Sequence, residues 1–375
     1  MKKFKAMVAL LLCAGMLAGC AGGGNSSSSS AQEAGDASGD KPVLVVSNFA
    51  LADDRIKDTV IKPFEEKHNC TVVYEGGTNG ERLTKLKNDP NTDVDVIYLA
   101  QQYAQQGVDA GLFEEIDYSR IPNAEYLLEK ASFLKESKQG PAVTMNRLGI
   151  IYNPEKAGEI TSFADIWKEE YRDQVAIPDI STTFGPAMVT VASNYAGVDY
   201  ATDGGEAAFK ALEELKPNIV KTYSKSSDLK NMFSSGEISV ALAAEFAYNT
   251  MGDSNTNLVF IDPTEGAYLN FNTVNIVKNS DQKDLAYEFI NYVLSKENQL
   301  DAALNVPESA VNTQVEIPEE AAKKLTTVET ANKSNVVDFS VVNPLLENWV
   351  EMWNKTLNQQ SRYLKRACRH RQALF

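Results

Sequence analysis

The chain has 375 residues, more than one hydrophobic core usually serves, so two domains or lobes are expected. Hydrophobic residues at 43% and aromatics at 9% exclude wholesale disorder, and a net charge of -15 argues against nucleic acid as a partner, because phosphate binding needs concentrated Lys and Arg. Only His68 and His370 occur, which excludes a multi-histidine metal site.

Lys2, Lys3 and Lys5 form a positive start, and residues 6–17 are an almost unbroken apolar run of secretory-signal length. That run is too short for a permanent transmembrane helix. It ends in Leu17-Ala18-Gly19-Cys20, which resembles the lipobox of bacterial lipoproteins, in which the cysteine is acylated and becomes the first residue. The expectation is a signal peptide over 1–19, a lipidated Cys20, and a Gly/Ser-rich tether through residue 40 that reaches on the order of 25 Å. Cys70 and Cys368 would then remain, and two such distant thiols do not suggest a disulfide framework.

The body alternates strand and helix patterns. Residues 43–49 read as a buried strand, and residues 53–67 as a helix with Val60, Ile61 and Phe64 on one face. A β-branched strand over 71–75 stops at Gly76-Gly77, a short helix spans 81–87, and 95–100 is again a strand. Further strands are predicted at 149–153, 175–178, 238–244, 258–261 and 273–277. Amphipathic helices are predicted at 206–215 (Phe209, Leu212, Leu215) and 284–294 (Leu285, Phe289, Val293). This alternation predicts an α/β fold with largely parallel sheets. Residues 361–375 are basic and carry no acid; they read either as an arm for an anionic surface or as a non-native appendage.

Catalytic motifs of the phosphate-loop, nucleophile-elbow, dinucleotide and zinc-protease kinds are absent, so an enzyme is not expected, and no cofactor or metal is called for. Asp89, Asn91, Asp93 and Asp95 have calcium-loop spacing, but Val94 stands where the loop needs Gly and Ala100 where it needs Glu. They read as a polar turn, and His68 as a solvated helix-terminal residue.

Val45-Val46-Ser47-Asn48-Phe49, Pro63-Phe64-Glu65-Glu66-Lys67, Ile151-Tyr152-Asn153-Pro154, Thr161 to Trp167, residues 235–241 and residues 286–294 carry a resemblance. Together they are similar to bacterial extracellular solute-binding proteins of ABC importers, and within these to the spermidine/putrescine-binding class. The resemblance implies the two-lobe periplasmic-binding-protein fold, with a ligand cleft between lobes that close by hinge motion. It further implies a small-molecule ligand and an ABC permease as partners; the lipobox adds a membrane reached through the lipid anchor, the charge leaves no nucleic acid, and a monomer is expected. Lobe 1 is expected over 41–147 and 269–310, and lobe 2 over 148–268. Carboxyl-terminal helices over 311–360 are expected to pack mainly on lobe 2. Crossovers are placed near Met145 to Gly149 and near Ala267 to Thr273.

Position by position, the resemblance places Ser47, Asn48, Phe49, Gln102, Tyr103, Asp179, Glu245, Asn270 and Asn272 at the cleft. Asn270 and Asn272 stand where polyamine binders carry Trp and Asp, which removes one ammonium partner. Ser181, Thr182 and Thr183 could donate to an anion or simply cap the following helix, and Arg147 could clamp a ligand or bridge the lobes. The pattern fits a polyamine-like or zwitterionic solute. Tyr268 and Phe271 are candidates for stacking on ligand, whereas Trp167, Trp349 and Trp353 read as core.

Overall fold

The computed structural model describes residues 41–49, 53–251, 257–306 and 308–358; the signal-like segment, Cys20, the tether and the basic tail lie outside them. Among the described residues the strands are β1 (Val43–Asn48), β2 (Thr71–Gly76), β3 (Val96–Ala100), β4 (Ala142–Tyr152), β5 (Val175–Pro178), β6 (Ile219–Tyr223), β7 (Val240–Ala244), β8 (Val259–Ile261), β9 (Tyr268–Ile276) and β10 (Asn335–Val336). They hydrogen-bond in the order β2-β1-β3-β9-β4-β7-β5-β6, with β10 added to β9 and β8 to β4. Every residue of β3 and of β7 is buried, as apolar strands covered on both faces require.

Parallel pairing forms two patches, β2-β1-β3 at one end and β7-β5-β6 at the other, and recurs only where the two-residue β10 joins β9. Between them β4 and β9 run antiparallel to each other, and they meet β7 and β3 antiparallel as well. The expected sheet was largely parallel; the difference has a topological cause. The eleven-residue β4 carries the chain out of the first patch, and β9 brings it back, so the two must run in opposite senses.

Each patch has its own core. Leu44, Val46, Phe64, Val96, Phe289 and Ile290 belong to the first, and Ile177, Met188, Leu212, Leu242, Trp349 and Trp353 to the second. On β4 the change from one core to the other falls between Met145 and Leu148, and on β9 between Tyr268 and Leu269. The carboxyl-terminal segment divides: Val311 and Ala331 enter the first core, and helix Phe339–Trp353 lies in the second.

Trp349 and Trp353 are fully buried, and Trp167 stacks on Tyr195 with ring centroids 4.2 Å apart. Tyr268 and Phe271 are core residues too, not stacking partners in the cleft. Phe271 points from β9 to the side opposite its neighbours Asn270 and Asn272 and is fully buried in the first core. The Tyr268 hydroxyl accepts from Asn194 Nδ2 at 2.6 Å, which holds its ring in the second core.

Candidate functional site

Where β4 and β9 cross, Asn146 and Asn270 stand opposite each other in antiparallel register. They form part of the wall of an inner cavity of about 500 Å3. An outer cavity of about 410 Å3 adjoins it, and Asn79, Thr183 and Phe246 line both. The result is one continuous cleft of small-ligand size.

Eight of the thirteen expected residues line this cleft. Tyr103, Ser181 and Thr182 face the outer cavity, Phe49, Glu245, Asn270 and Asn272 the inner one, and Thr183 both. The other five do not. Ser47 is buried, and its carbonyl accepts from Arg82 Nη1 at 3.2 Å. Asn48 faces a separate small cavity of about 40 Å3, and Gln102 is buried with its carbonyl accepting from Asn343 Nδ2 at 3.0 Å.

Asp179 organises the loop beneath the outer cavity. Its Oδ1 accepts from Ser181 N at 3.1 Å and Ser181 Oγ at 2.7 Å, an Asx turn that sets the approach to helix Gly185–Ala196. Arg147 points away from the cleft. Its guanidinium pairs with Asp262, donates to Leu325 O and Thr326 Oγ1, and lies 4.9 Å from the Phe260 ring centre. Arg147 thereby ties β4 to Asp262 and to the carboxyl-terminal segment.

Glu245 is buried but satisfied: Oε2 accepts from Arg147 N at 2.8 Å and Oε1 from Thr326 Oγ1 at 2.7 Å. Burial nevertheless holds its carboxyl above the usual range. Glu308, also in the inner wall, differs. The residue is half-buried, its carboxyl has no hydrogen-bond or ion-pair partner among the described residues, and desolvation pushes that carboxyl up to about 7. An unpaired carboxylate facing a cavity is costly until a cation arrives.

Glu308, Asn146, Asn79 and Phe246 escaped sequence reasoning. Asn146 could have been found by pairing β4 with β9, since it then falls opposite Asn270. Glu308 sits in the loop after helix Lys296–Asn305, where no motif marks it.

Other candidates resolve into structure. Asp95 takes Val45 N at 2.8 Å and Ser280 Oγ at 2.6 Å, Asp89 takes Asn91 N at 3.2 Å, and His68 stacks on Phe64 at 4.3 Å. Among the described residues no group of three His, Cys, Asp or Glu side chains could hold a metal, and no helix is long and apolar enough to cross a membrane.

Residues 59–330 match the protein family described as bacterial extracellular solute-binding protein. The chain belongs to this family. The solute-binding protein is 52% identical to an ABC transporter from Clostridium perfringens whose crystal structure it matches with a TM-score of 0.80, over 84% of this chain and 99% of that one. It is 25% identical over 276 residues to spermidine/putrescine-binding periplasmic protein 1 of Haemophilus influenzae, covering 71% of this chain and 75% of the relative. The putrescine-binding periplasmic protein PotF of Escherichia coli is 27% identical over 285 residues, or 69% of this chain and 75% of the relative. The fold is that of the two-lobe periplasmic binding proteins, and the protein is a binding protein rather than an enzyme.

Proposed function

We propose that this solute-binding protein is the lipid-anchored receptor of an ABC importer, which captures a small polar, nitrogen-containing solute by lobe closure and hands it to a membrane permease. The observation that carries the reading is the unpaired carboxyl of Glu308 in a ligand-sized cleft at the crossing of β4 and β9. Relatives named for spermidine and putrescine, and one titled an ABC transporter, support the solute class and the transport role. The Leu17-Ala18-Gly19-Cys20 sequence supports the anchor.

In this reading lobe 1 comprises 41–147 and 269–310 and lobe 2 comprises 148–268. The hinge is at the changes of core, Met145 to Leu148 and Tyr268 to Leu269. Phe49, Tyr103 and Phe246 offer aromatic faces to the aliphatic part and to a cationic head. The receptor works as a monomer, with each lobe presenting one docking face to the permease.

Calorimetric titration with amine-bearing solutes, beside an uncharged polyol, tests the solute class, and small-angle scattering of the same samples tests closure. Amine binding with a smaller radius of gyration is expected. Saturable binding of the polyol alone, or amine binding with no compaction, would remove the corresponding half of the proposal.

A further inference from the structure

We infer that the solute is a zwitterion, with its ammonium against Glu308, Asn146 and Asn270 and its oxyanion at Asn79, where the inner and outer cavities meet; this rests on the proposed receptor reading and narrows its solute class. The argument is which hydrogen-bonding atoms the cleft leaves open. Asn270 Nδ2 donates to Asn272 Oδ1 at 3.2 Å, so its Oδ1, buried and without a partner, is the atom left for a ligand. Asn270 is 3% exposed. Asn146 Oδ1 is likewise buried and unpartnered. Together with the Glu308 carboxyl these put open acceptors on the inner wall, which match the donors of an ammonium group.

The junction at Asn79 has the opposite polarity. Asn79 Oδ1 accepts from Ala100 N at 3.0 Å and from Arg82 Nη2 at 3.5 Å, which leaves Nδ2 as the group for a ligand. Behind it, Arg82 is buried with three backbone carbonyls as partners, those of Gly77, Ser47 and Tyr98, and no carboxylate within ion-pair distance among the described residues. Its positive charge is therefore uncompensated. No acidic side chain lines the outer cavity. Helix Ser226–Ser235 begins at that cavity without a side-chain cap, whereas helix Gly185–Ala196 adds no donor from its first two residues, because Gly185 N–H donates to Thr182 O at 3.1 Å and Pro186 has none.

A polyamine would set its second ammonium against the Asn79 amide donor and the buried Arg82 charge, with no acidic side chain in the lining itself to pair it. A carboxylate or phosphonate would meet a donor and a positive charge there. The remaining charged groups of the inner cavity do not reverse this: Glu245 is held by Thr326 and Arg147, and exposed Arg55 donates to the Asn305 carbonyl.

The test compares putrescine and spermidine with 4-aminobutyrate, 5-aminopentanoate and 2-aminoethylphosphonate by calorimetric titration of the purified protein. At least one zwitterion is expected to bind tenfold or more tightly than putrescine. Glu308→Gln should weaken it at least tenfold, and Asn79→Asp, which keeps the acceptor for Ala100 and Arg82, should erase the preference over putrescine. Circular dichroism checks that both variants are folded. Putrescine or spermidine binding more tightly than every zwitterion would overturn this inference and leave the amine receptor standing. Binding of none of the five by folded protein would overturn both.

Discussion

The backbone N–H of Arg147 donates to Glu245 Oε2 at 2.8 Å, while the Arg147 guanidinium turns outward to Thr326 Oγ1 at 3.0 Å. Thr326 in turn donates to Glu245 Oε1 at 2.7 Å, which closes a triangle between β4, the helix after β7 and the carboxyl-terminal segment. Such a buried set holds the base of the cleft in one geometry and leaves Glu245 little to offer a ligand. Arg147→Met should therefore cost about 2–4 kcal/mol of stability in urea unfolding, since it strips partners from buried polar groups. Solute affinity should stay within about threefold. Unchanged stability with a tenfold loss of affinity would make Arg147 a ligand clamp instead.

Glu308 predicts a pH dependence whose sign can be worked out. Its carboxyl titrates near 7 in the folded chain and near 4.5 when exposed. Between these values the folded chain keeps a proton that the unfolded chain has released, so stability falls as pH rises through this window. Arg55 and Glu245 share its cavity, and Tyr98 behind it stays protonated, its hydroxyl held well above the usual range by burial. Guanidinium unfolding at pH 5 and pH 8 should show a drop on the order of 1–3 kcal/mol that Glu308→Gln removes. Amine affinity should change in the opposite direction, rising toward pH 8. An equal pH profile in the variant would show that Glu308 is not the titrating group.

Much of this was legible in the sequence because it depends on local pattern. The apolar runs at β1, β3, β5 and β7, and the stripe of Phe209, Leu212 and Leu215, follow from periodicities of two and 3.6. The strand sense was not legible, because β4 and β9 are antiparallel through their long-range connectivity and no local signal encodes that. Site residues on β9 and in the 181–183 loop were reached through family position. Glu308 was not, since it comes to share a cavity with Phe49 and Met145 only through the long-range fold. The direction of the Arg147 side chain was not legible, because it depends on Asp262, 115 residues away.

Gly185 is a steric hinge pin for the outer cavity. A Cβ there would lie 2.3 Å from Asp179 O and 2.4 Å from Ile180 Cα, and both are backbone atoms that cannot swing aside. Gly185→Ala should destabilise the protein by roughly 1–3 kcal/mol and displace the loop carrying Ser181, Thr182 and Thr183. The displacement distinguishes it from a plain packing defect: solute affinity should fall at least fivefold in calorimetry even under conditions where circular dichroism shows the variant folded. Wild-type affinity in a destabilised variant would remove that loop from the site.

Trp349 separates stability from binding in the opposite sense. It is fully buried in the second core, its Nε1 donates to Gly204 O at 2.8 Å, and Tyr200 meets it edge-on at 5.5 Å. Gly205, at φ +94°, leaves the space into which the indole fits, since a Cβ there would come within 2.7 Å of Nε1. Trp349→Ala should cost about 3–5 kcal/mol, the usual range for emptying a large aromatic site. Trp349→Phe retains most of the volume, loses the hydrogen bond and strands the Gly204 carbonyl, so it should cost about 1–3 kcal/mol. Trp349 does not line the cleft, and calorimetry on folded Trp349→Phe should give the wild-type dissociation constant. A clear loss of affinity there would mean that helix Phe339–Trp353 sets the lobe geometry, and that the second core is coupled to the cleft.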